Sequence, residues 1–466
     1  MAAVETQSPV DALQKSLGNA LLTSASPAED LAAATAVFNG FIPKRKPEEI
    51  VVATGVADVM AAVKYANAKG LKVSVKANGH HWQGSGLREG SLLINLEKLK
   101  GVRIDVEKKT ASVQPGVTAI DLHKEVSAVG LYFPGGHCPT VGISGYTLNG
   151  GYGWNSGHVG SASDHLISID VVLADGSFVR ATDDNEYADL LWAARGAGQG
   201  FFGVVTCFEY RLDLLPRGIT LMQSVFPLDS AADVIKFWNE KRAELPSHME
   251  VVTIMATGPT GHRCTVFLGV SFADTEEQGR KDLAVLEDCP VQPRLVHDVH
   301  PSDVYEIWGI LDKAFPKNWN MNVDVAVVPF EATTDMAASL AEHFKTSPSP
   351  LDHVLFAGIG PKAGSVKSAF SPEGNFEPAV YVGCYGIIEK IDVGKEQEVV
   401  DWTVKGQDLV WPHAVRGYVG EGRQETAKLR RCYTPEAWDR LEELREKYDP
   451  ARLFLSWLAA DPTFVQ

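Results

Sequence analysis

Two glycine clusters, with a histidine and a cysteine set beside glycines, are where this sequence has the means to do chemistry. Between Gly135 and Gly160 lie nine glycines (135, 136, 142, 145, 150, 151, 153, 157 and 160), with Cys138 among them. A second cluster, Arg195-Gly196-Ala197-Gly198-Gln199-Gly200 with Gly203, precedes the apolar pair Val204-Val205. His80 sits in a further loop, Asn78-Gly79-His80, after the apolar run Leu71–Val75. Glycine at that density lets a backbone turn repeatedly and admits a ligand close to its N–H groups. Oriented amides form anion-binding nests, so two clusters in one domain point to a phosphate-bearing cofactor. A Rossmann site requires G-x-G-x-x-G straight after a strand, with an acidic residue about 20 positions on. Neither cluster fits: Gly151-Tyr152-Gly153 is followed by Ser156, and Gly196 and Gly198 by Phe201. A P-loop is absent as well. Any such cofactor would be held by another architecture.

The elements that would carry these loops can be read from periodicity. Ile50–Ala53 is a short β-type run; Val56, Val59, Val63 and Ala66 recur at helical spacing, and Gly70 suits a left-handed cap. With Leu71–Val75 this makes a β-α-β-like unit over 50–75. Further strands are predicted at Ser91–Leu96, Thr110–Val113 and Leu166–Ala174. Beyond Leu215-Pro216 alternating strands such as Cys264–Val270 and Val380–Gly386 are interleaved with helices such as Ala231–Glu244. That texture predicts an antiparallel sheet backed by helices. Pro435–Tyr448 reads as a charged amphipathic helix stopped at Asp449-Pro450. The fold class expected is α+β, in three segments: 1–215, 216–405, and 406–466 returning to the first.

The same residues resemble a known family. The region from Lys46 to Leu215 resembles the FAD-binding half of the FAD-linked oxidases of the vanillyl-alcohol-oxidase superfamily, nearest to the berberine-bridge-enzyme-like group. Lys76-Ala77-Asn78-Gly79-His80 is similar to the family's R-S-G-G-H loop, and Cys138-Pro139-Thr140-Val141-Gly142 to its C-P-T-V-G segment. Asn149-Gly150-Gly151-Tyr152-Gly153 corresponds to the following glycine loop; Leu191–Gly196 and the tail Lys447–Phe454 resemble two further signatures. The resemblance implies a two-part FAD-binding domain of the PCMH type and an antiparallel-sheet substrate domain. It implies FAD held covalently at two points, through the 8α-methyl to His80 and through C6 to Cys138. It places Lys76, Asn78, Gly79, Val141, Gly142, Gly145, Asn149, Gly150, Gly151, Gly153 and Val204 around the cofactor. A thiol adds to an electron-poor ring only as a thiolate within reach. His81 is the other imidazole available beside His80. The chain departs from the family with Lys76 for Arg, Asn78 for Gly, His165, Phe201 and Arg452 for Asn. Lysine keeps the charge of arginine but not its planar bidentate donors.

Flavin accepts hydride, and the protein supplies position and electrostatics. Taking a hydride from a carbon bearing OH or NH also needs a base for the heteroatom proton. The family's Y-x-N-Y segment is matched by Tyr418-Val419-Gly420-Glu421, which makes Tyr418 the first candidate base and Glu421 its assistant or replacement. Val141 after Cys-Pro-Thr leaves room, by the same resemblance, for dioxygen, implying an oxidase that releases hydrogen peroxide. On the predicted strand Val380–Gly386, Tyr381, Gly383 and Tyr385 share one face. They are substrate-side candidates, together with Trp319 in the cluster Asn318-Trp319-Asn320.

Composition sets the outer bounds. With Lys+Arg 43 against Asp+Glu 59 the net charge is −16, which disfavours a nucleic-acid partner. No apolar run reaches the roughly 18 residues of a membrane span, and the N-terminus lacks a secretory signal, so a soluble cytoplasmic protein is expected. The six cysteines form no CxxC pair, against a zinc site or disulfide scaffold. The expected function is oxidation of a C–OH or C–N carbon in a natural product, alkaloid or sugar, with O2 as second substrate and no metal. A flavin dehydrogenase or oxidative cyclase is the alternative, and a non-catalytic flavoprotein the alternative of another class.

Overall fold

Glycine 70 takes φ 73° at the end of the helix Val56–Lys69, the left-handed cap its position calls for. In this computed structural model, residues 8–40, 44–360, 366–374, 378–389, 394–423 and 425–457 are described. The β-α-β unit is present as strands Glu49–Val52 and Val73–Lys76 with that helix between them. The two strands are not neighbours: Leu92–Asn95 lies between them and pairs parallel with both. All four residues of that central strand are buried, as a parallel strand between two others requires. Leu21–Leu22 adds an antiparallel edge.

A second, five-stranded antiparallel sheet runs in the order Val102–Asp105, Thr110–Val113, Val204–Arg211, Leu166–Val172, Phe178–Thr182. The chain's tail returns to the first sheet. The helix Pro435–Tyr448 ends at Asp449, whose buried carboxylate accepts from the N–H groups of Leu453 (2.6 Å) and Phe454 (3.0 Å). That turn lays Leu453–Leu455 along Val73, which donates to Leu453 O at 2.8 Å and accepts from Leu455 N at 2.8 Å. No helix among the described residues is long and apolar enough to cross a membrane.

The third sheet has seven antiparallel strands, in the order Val296–Pro301, Gly218–Pro227, Arg263–Ala273, Met249–Thr257, His353–Ile359, Ala379–Ile388, Asn320–Val328. Strand alternation divides it into two faces. Val380, Val382 and Cys384 pack on the first, with the helices Ala231–Lys241 and Thr333–Phe344 and with Trp402 of the helix Glu396–Val410. Tyr381, Tyr385 and Ile387 pack on the other, against Phe38, Trp82 and Phe315 from outside the sheet. The helix-backed antiparallel domain expected from the sequence is therefore present, and its uncovered face looks at the first domain.

One buried acid in this domain gives a pH-dependent stability. Asp352 accepts from Ile387 N (2.8 Å), Ser349 N (3.0 Å) and the Ser347 hydroxyl (2.9 Å). Burial nevertheless outweighs these bonds and pushes its carboxyl from 3.8 up to about 6. The folded state thus holds this proton more tightly than the unfolded chain. The contribution is complete below pH 3.8 and is lost as pH rises through about 6. Denaturant titrations of wild type and Asp352→Asn are expected to show the wild-type advantage falling by about 2 kcal/mol between pH 4 and pH 7.

Candidate active site

The strand Val73–Lys76 delivers the loop that carries His80. Gly79 is at φ 66°, and a Cβ there would stand 3.0 Å from Ala36 O, so the turn is built for glycine. Phe38 N donates to Gly79 O at 2.9 Å, and the Phe38 ring stacks on the His80 imidazole at 3.9 Å. His80 Nε2 lies 3.0 Å from Thr140 Oγ1, which joins this loop to the one carrying Cys138. Both loops open on a single cleft of about 310 Å³. Burial holds the His80 imidazole down at about 4 and that of His81 at about 3, so both are neutral near pH 7. For Cys138 burial, aided by the Glu421 and Asp312 carboxylates, pushes the thiol far above its ordinary range. That opposes the thiolate which attachment requires.

The residues present fit a flavin nucleotide. The side-chain oxygens of Asn78 and Asn149 and the Trp154 indole N–H are buried without a hydrogen-bond partner, and all three residues line the cleft. Buried polar groups are normally paired, so these await a polar ligand. A Cβ at Gly145, also on the lining, would meet nothing within 4 Å, so the wall there leaves room for one. Lys76 is buried, its ammonium 3.2 Å from Glu97; burial lowers its pKa against that partner.

Lys76, Asn78, Gly79, His80, Cys138, Val141, Gly142, Gly145 and Asn149 all line the cleft, as do Tyr381, Tyr385, Tyr418 and Glu421. Gly150, Gly151, Gly153, Val204 and Trp319 are not among the lining residues. A Cβ at Gly150 would strike the Phe370 ring at 2.3 Å, one at Gly151 the Tyr146 ring at 2.9 Å, and one at Gly153 the Gly135 carbonyl at 2.2 Å. These three glycines admit protein neighbours. Val204 packs in the core of the first sheet, and Trp319 lies half-buried behind the aromatic cluster.

The residues expected on the substrate side gather around one carboxylate. Tyr381 OH donates to Glu421 Oε2 at 2.5 Å, Tyr385 OH lies 3.2 Å from the same oxygen, and the two phenols are 2.7 Å apart. Gly383 makes this possible, because a Cβ there would meet the Tyr385 ring at 2.5 Å. Burial, then the Glu421 charge, raises both phenols well above 10, so each is a donor at neutral pH. The Tyr418 phenol is raised for the same two reasons, and its ring tilts against Tyr152 at 5.2 Å.

Sequence reasoning left Trp82 to packing, yet it lines the cleft, 6.3 Å from the Tyr385 ring and 5.8 Å from Phe315. It also passed over His137, whose Nε2 is 2.5 Å from Glu250 Oε1 while Glu250 Oε2 accepts from Asn155 N at 3.0 Å. Burial would lower this imidazole's pKa, but Glu250 overcomes it and the net shift is upward. Its place beside Cys138 in the glycine loop was the available signal; the distant Glu250 partner was not.

Comparison with known proteins follows the same lines. Residues 47–182 match a family model described as FAD binding domain. The FAD-linked oxidoreductase nodO of Hypoxylon pulicicidum is 25% identical over 423 residues, 89% of this chain and 91% of the relative. The (R)-6-hydroxynicotine oxidase of Paenarthrobacter nicotinovorans is 37% identical over 173 residues, 37% of each chain. Among solved structures, berberine bridge enzyme from Eschscholzia californica superposes with a TM-score of 0.81 at 19% identity, covering 97% of this chain and 99% of the other. The 6-hydroxy-D-nicotine oxidase of Arthrobacter nicotinovorans gives 0.80 at 22% identity, covering 93% and 96%. At these identities the structural likenesses establish the fold.

Proposed function

We propose that this chain, which carries an FAD binding domain and the berberine-bridge-enzyme-like fold, is an FAD-linked oxidoreductase of the vanillyl-alcohol-oxidase superfamily that oxidises a C–OH or C–N carbon of a small organic molecule and passes the electrons to dioxygen. The observation that carries this reading is the carboxylate of Glu421, set with two phenol donors in the same cleft as His80 and Cys138. A bound flavin supplies hydride acceptance. The protein's own part is to hold the cofactor, orient the substrate and remove a proton. Asn78, Asn149 and Lys76 hold the cofactor. Glu421 is the base, because the buried Tyr418 phenol stays protonated at neutral pH and has no free acceptor strength to match a carboxylate. This reverses the order in which the sequence ranks the two.

Covalent attachment at both His80 and Cys138 is part of the proposal, supported by the contact between their loops and by their shared cleft. Acid precipitation and intact mass test it. The yellow colour is expected in the pellet, with a mass one FAD above the polypeptide; Cys138→Ala retains the added mass through His80, and the double replacement His80→Ala/Cys138→Ala loses it. A colourless pellet with an unmodified mass removes the covalent reading. Stoichiometric hydrogen peroxide during turnover in air tests the oxidase assignment, which Val141 on the cleft wall supports.

A further inference from the structure

A second cavity, of about 530 Å³, opens where the helix Pro435–Tyr448 and the returning tail meet the short helix Thr426–Arg430. Five cationic side chains line it, Lys72, Arg88, Arg430, Arg445 and Arg452, against one carboxylate, Glu442. The whole chain has 43 basic and 59 acidic residues, so this wall reverses its overall charge. The cavity is not the cofactor cleft. It contains neither the loop glycines nor Lys76, and the two spaces have only Arg88, Phe454 and Leu455 in common.

Two of the five cations are committed to the fold. Arg452 pairs with Glu442 at 3.1 Å and Glu446 at 3.6 Å, and Arg88 donates to Ser85 O at 2.8 Å and to Ser456 O. Arg445 is different. It is only 6% exposed, its Nη2 donates to Phe454 O at 2.5 Å, and its Nε is buried without a hydrogen-bond partner. The acid whose field reaches it most, Asp449, already gives its two oxygens to Leu453 N and Phe454 N. Burial lowers the Arg445 pKa, and Asp449 and Glu442 do not restore it. On the rim, Lys72 donates to the carbonyls of Ala451 (2.9 Å) and Arg452 (2.7 Å), and the Arg430 guanidinium lies 5.0 Å from the Trp438 ring centre. Neither has an ion pair among the described residues. A buried guanidinium is normally matched by an anion, and arginine suits phosphate oxygens in particular. Three unmatched cations call for more charge than one carboxylate carries.

We propose that this cavity binds a phosphate monoester, with the phosphate at Arg445, the charge of the rim supplied by Lys72 and Arg430, and the organic body against Leu429 and Leu455. Those two leucines are the aliphatic part of the lining. The Trp438 and Trp457 rings stack on each other at 4.8 Å and close the wall between the helix and the tail. The site takes no part in hydride transfer, and it stands whether or not the oxidase reading does.

The test is calorimetric titration of the full chain, as isolated, with phenyl phosphate and with benzoate, at about 0.15 M salt so that diffuse surface charge is screened. Phenyl phosphate is expected to bind with a stoichiometry of one and at least tenfold more tightly than benzoate. Arg445→Met should weaken it at least tenfold and Arg430→Gln at least threefold. Undetectable binding overturns the inference, as does benzoate binding as tightly as phenyl phosphate, or an affinity that ignores both arginine replacements. An affinity lost on Lys76→Met but kept in Arg445→Met places the anion in the cofactor cleft and overturns it too. Should Arg445→Met fail to fold, the exposed rim replacements Arg430→Gln and Lys72→Met decide, each expected to weaken phenyl phosphate at least threefold.

Discussion

Replacing Glu421 by Gln is expected to slow anaerobic flavin reduction by about 10²- to 10⁴-fold, the usual contribution of a positioned base. The substitution keeps the size of the side chain, and Tyr381 and Tyr385 still have an amide oxygen to donate to in place of Oε2. What is lost is the ability to take a proton while the carbon gives up its hydride. Stopped-flow reduction under anaerobic conditions reads the step without dioxygen. Tyr418→Phe is the control: its phenol, raised by burial and by the Glu421 charge, removes no proton at neutral pH, so about tenfold or less should be lost. Should Tyr418→Phe fall as far as Glu421→Gln, or Glu421→Gln reduce as fast as wild type, the base is misassigned.

The reason the sequence ranks these two residues the other way is local. Tyr418 aligns with a family tyrosine, whereas Glu421 occupies a departed position and looks like an ordinary loop acid. The structure supplies the missing term: a Cβ at residue 420 would meet the Tyr418 ring at 2.8 Å, so glycine there lets the ring lie back over its own loop. The carboxylate, three residues after Tyr418, meets phenols from a strand some 40 positions earlier. Pairings of that range leave no trace in spacing. The phenols themselves were legible, because alternation on one strand puts Tyr381, Gly383 and Tyr385 on one face whatever the partner.

Glycines were read less evenly. Gly142 and Gly145 lie on the cleft wall, whereas a Cβ at Gly150, Gly151 or Gly153 would meet an aromatic ring or a carbonyl. A sequence states that room is needed at a glycine without stating what fills it. The first-domain elements that periodicity named lie within a few residues of their expected places, while the strands Val102–Asp105 and Phe178–Thr182 were not named and the insertion of Leu92–Asn95 between two strands joined by a helix was not foreseen. Strand order depends on which edges pair, and neither the composition nor the spacing of the three runs specifies that.

Asp324→Ala is expected to destabilise the protein by about 3–5 kcal/mol, as breaking a buried charge pair on one side does. The carboxylate is fully buried on the strand Asn320–Val328, where sequence alternation gives no hint of a partner. Its Oδ2 takes the Lys428 ammonium at 2.5 Å and the Trp411 indole N–H at 3.2 Å; its Oδ1 takes Arg423 N at 3.1 Å and Val325 N at 3.0 Å. Three of those donors belong to the segment 411–428, which also carries Tyr418 and Glu421. Val327 reinforces the attachment, donating to Arg416 O at 2.9 Å and accepting from Val415 N at 2.8 Å. Removing the carboxylate therefore strands an ammonium and an indole and loosens the loop that carries Glu421, the proposed base. A denaturant titration gives the stability loss, and reduction kinetics at a temperature where the variant is still folded should show kcat falling with it. The double variant Asp324→Ala/Lys428→Met separates the causes, since removing the stranded charge should return part of the stability but none of the positioning by Arg423 N. Recovery of both together would place the whole effect in the charge pair; recovery of neither would place it in the cavity left on the strand.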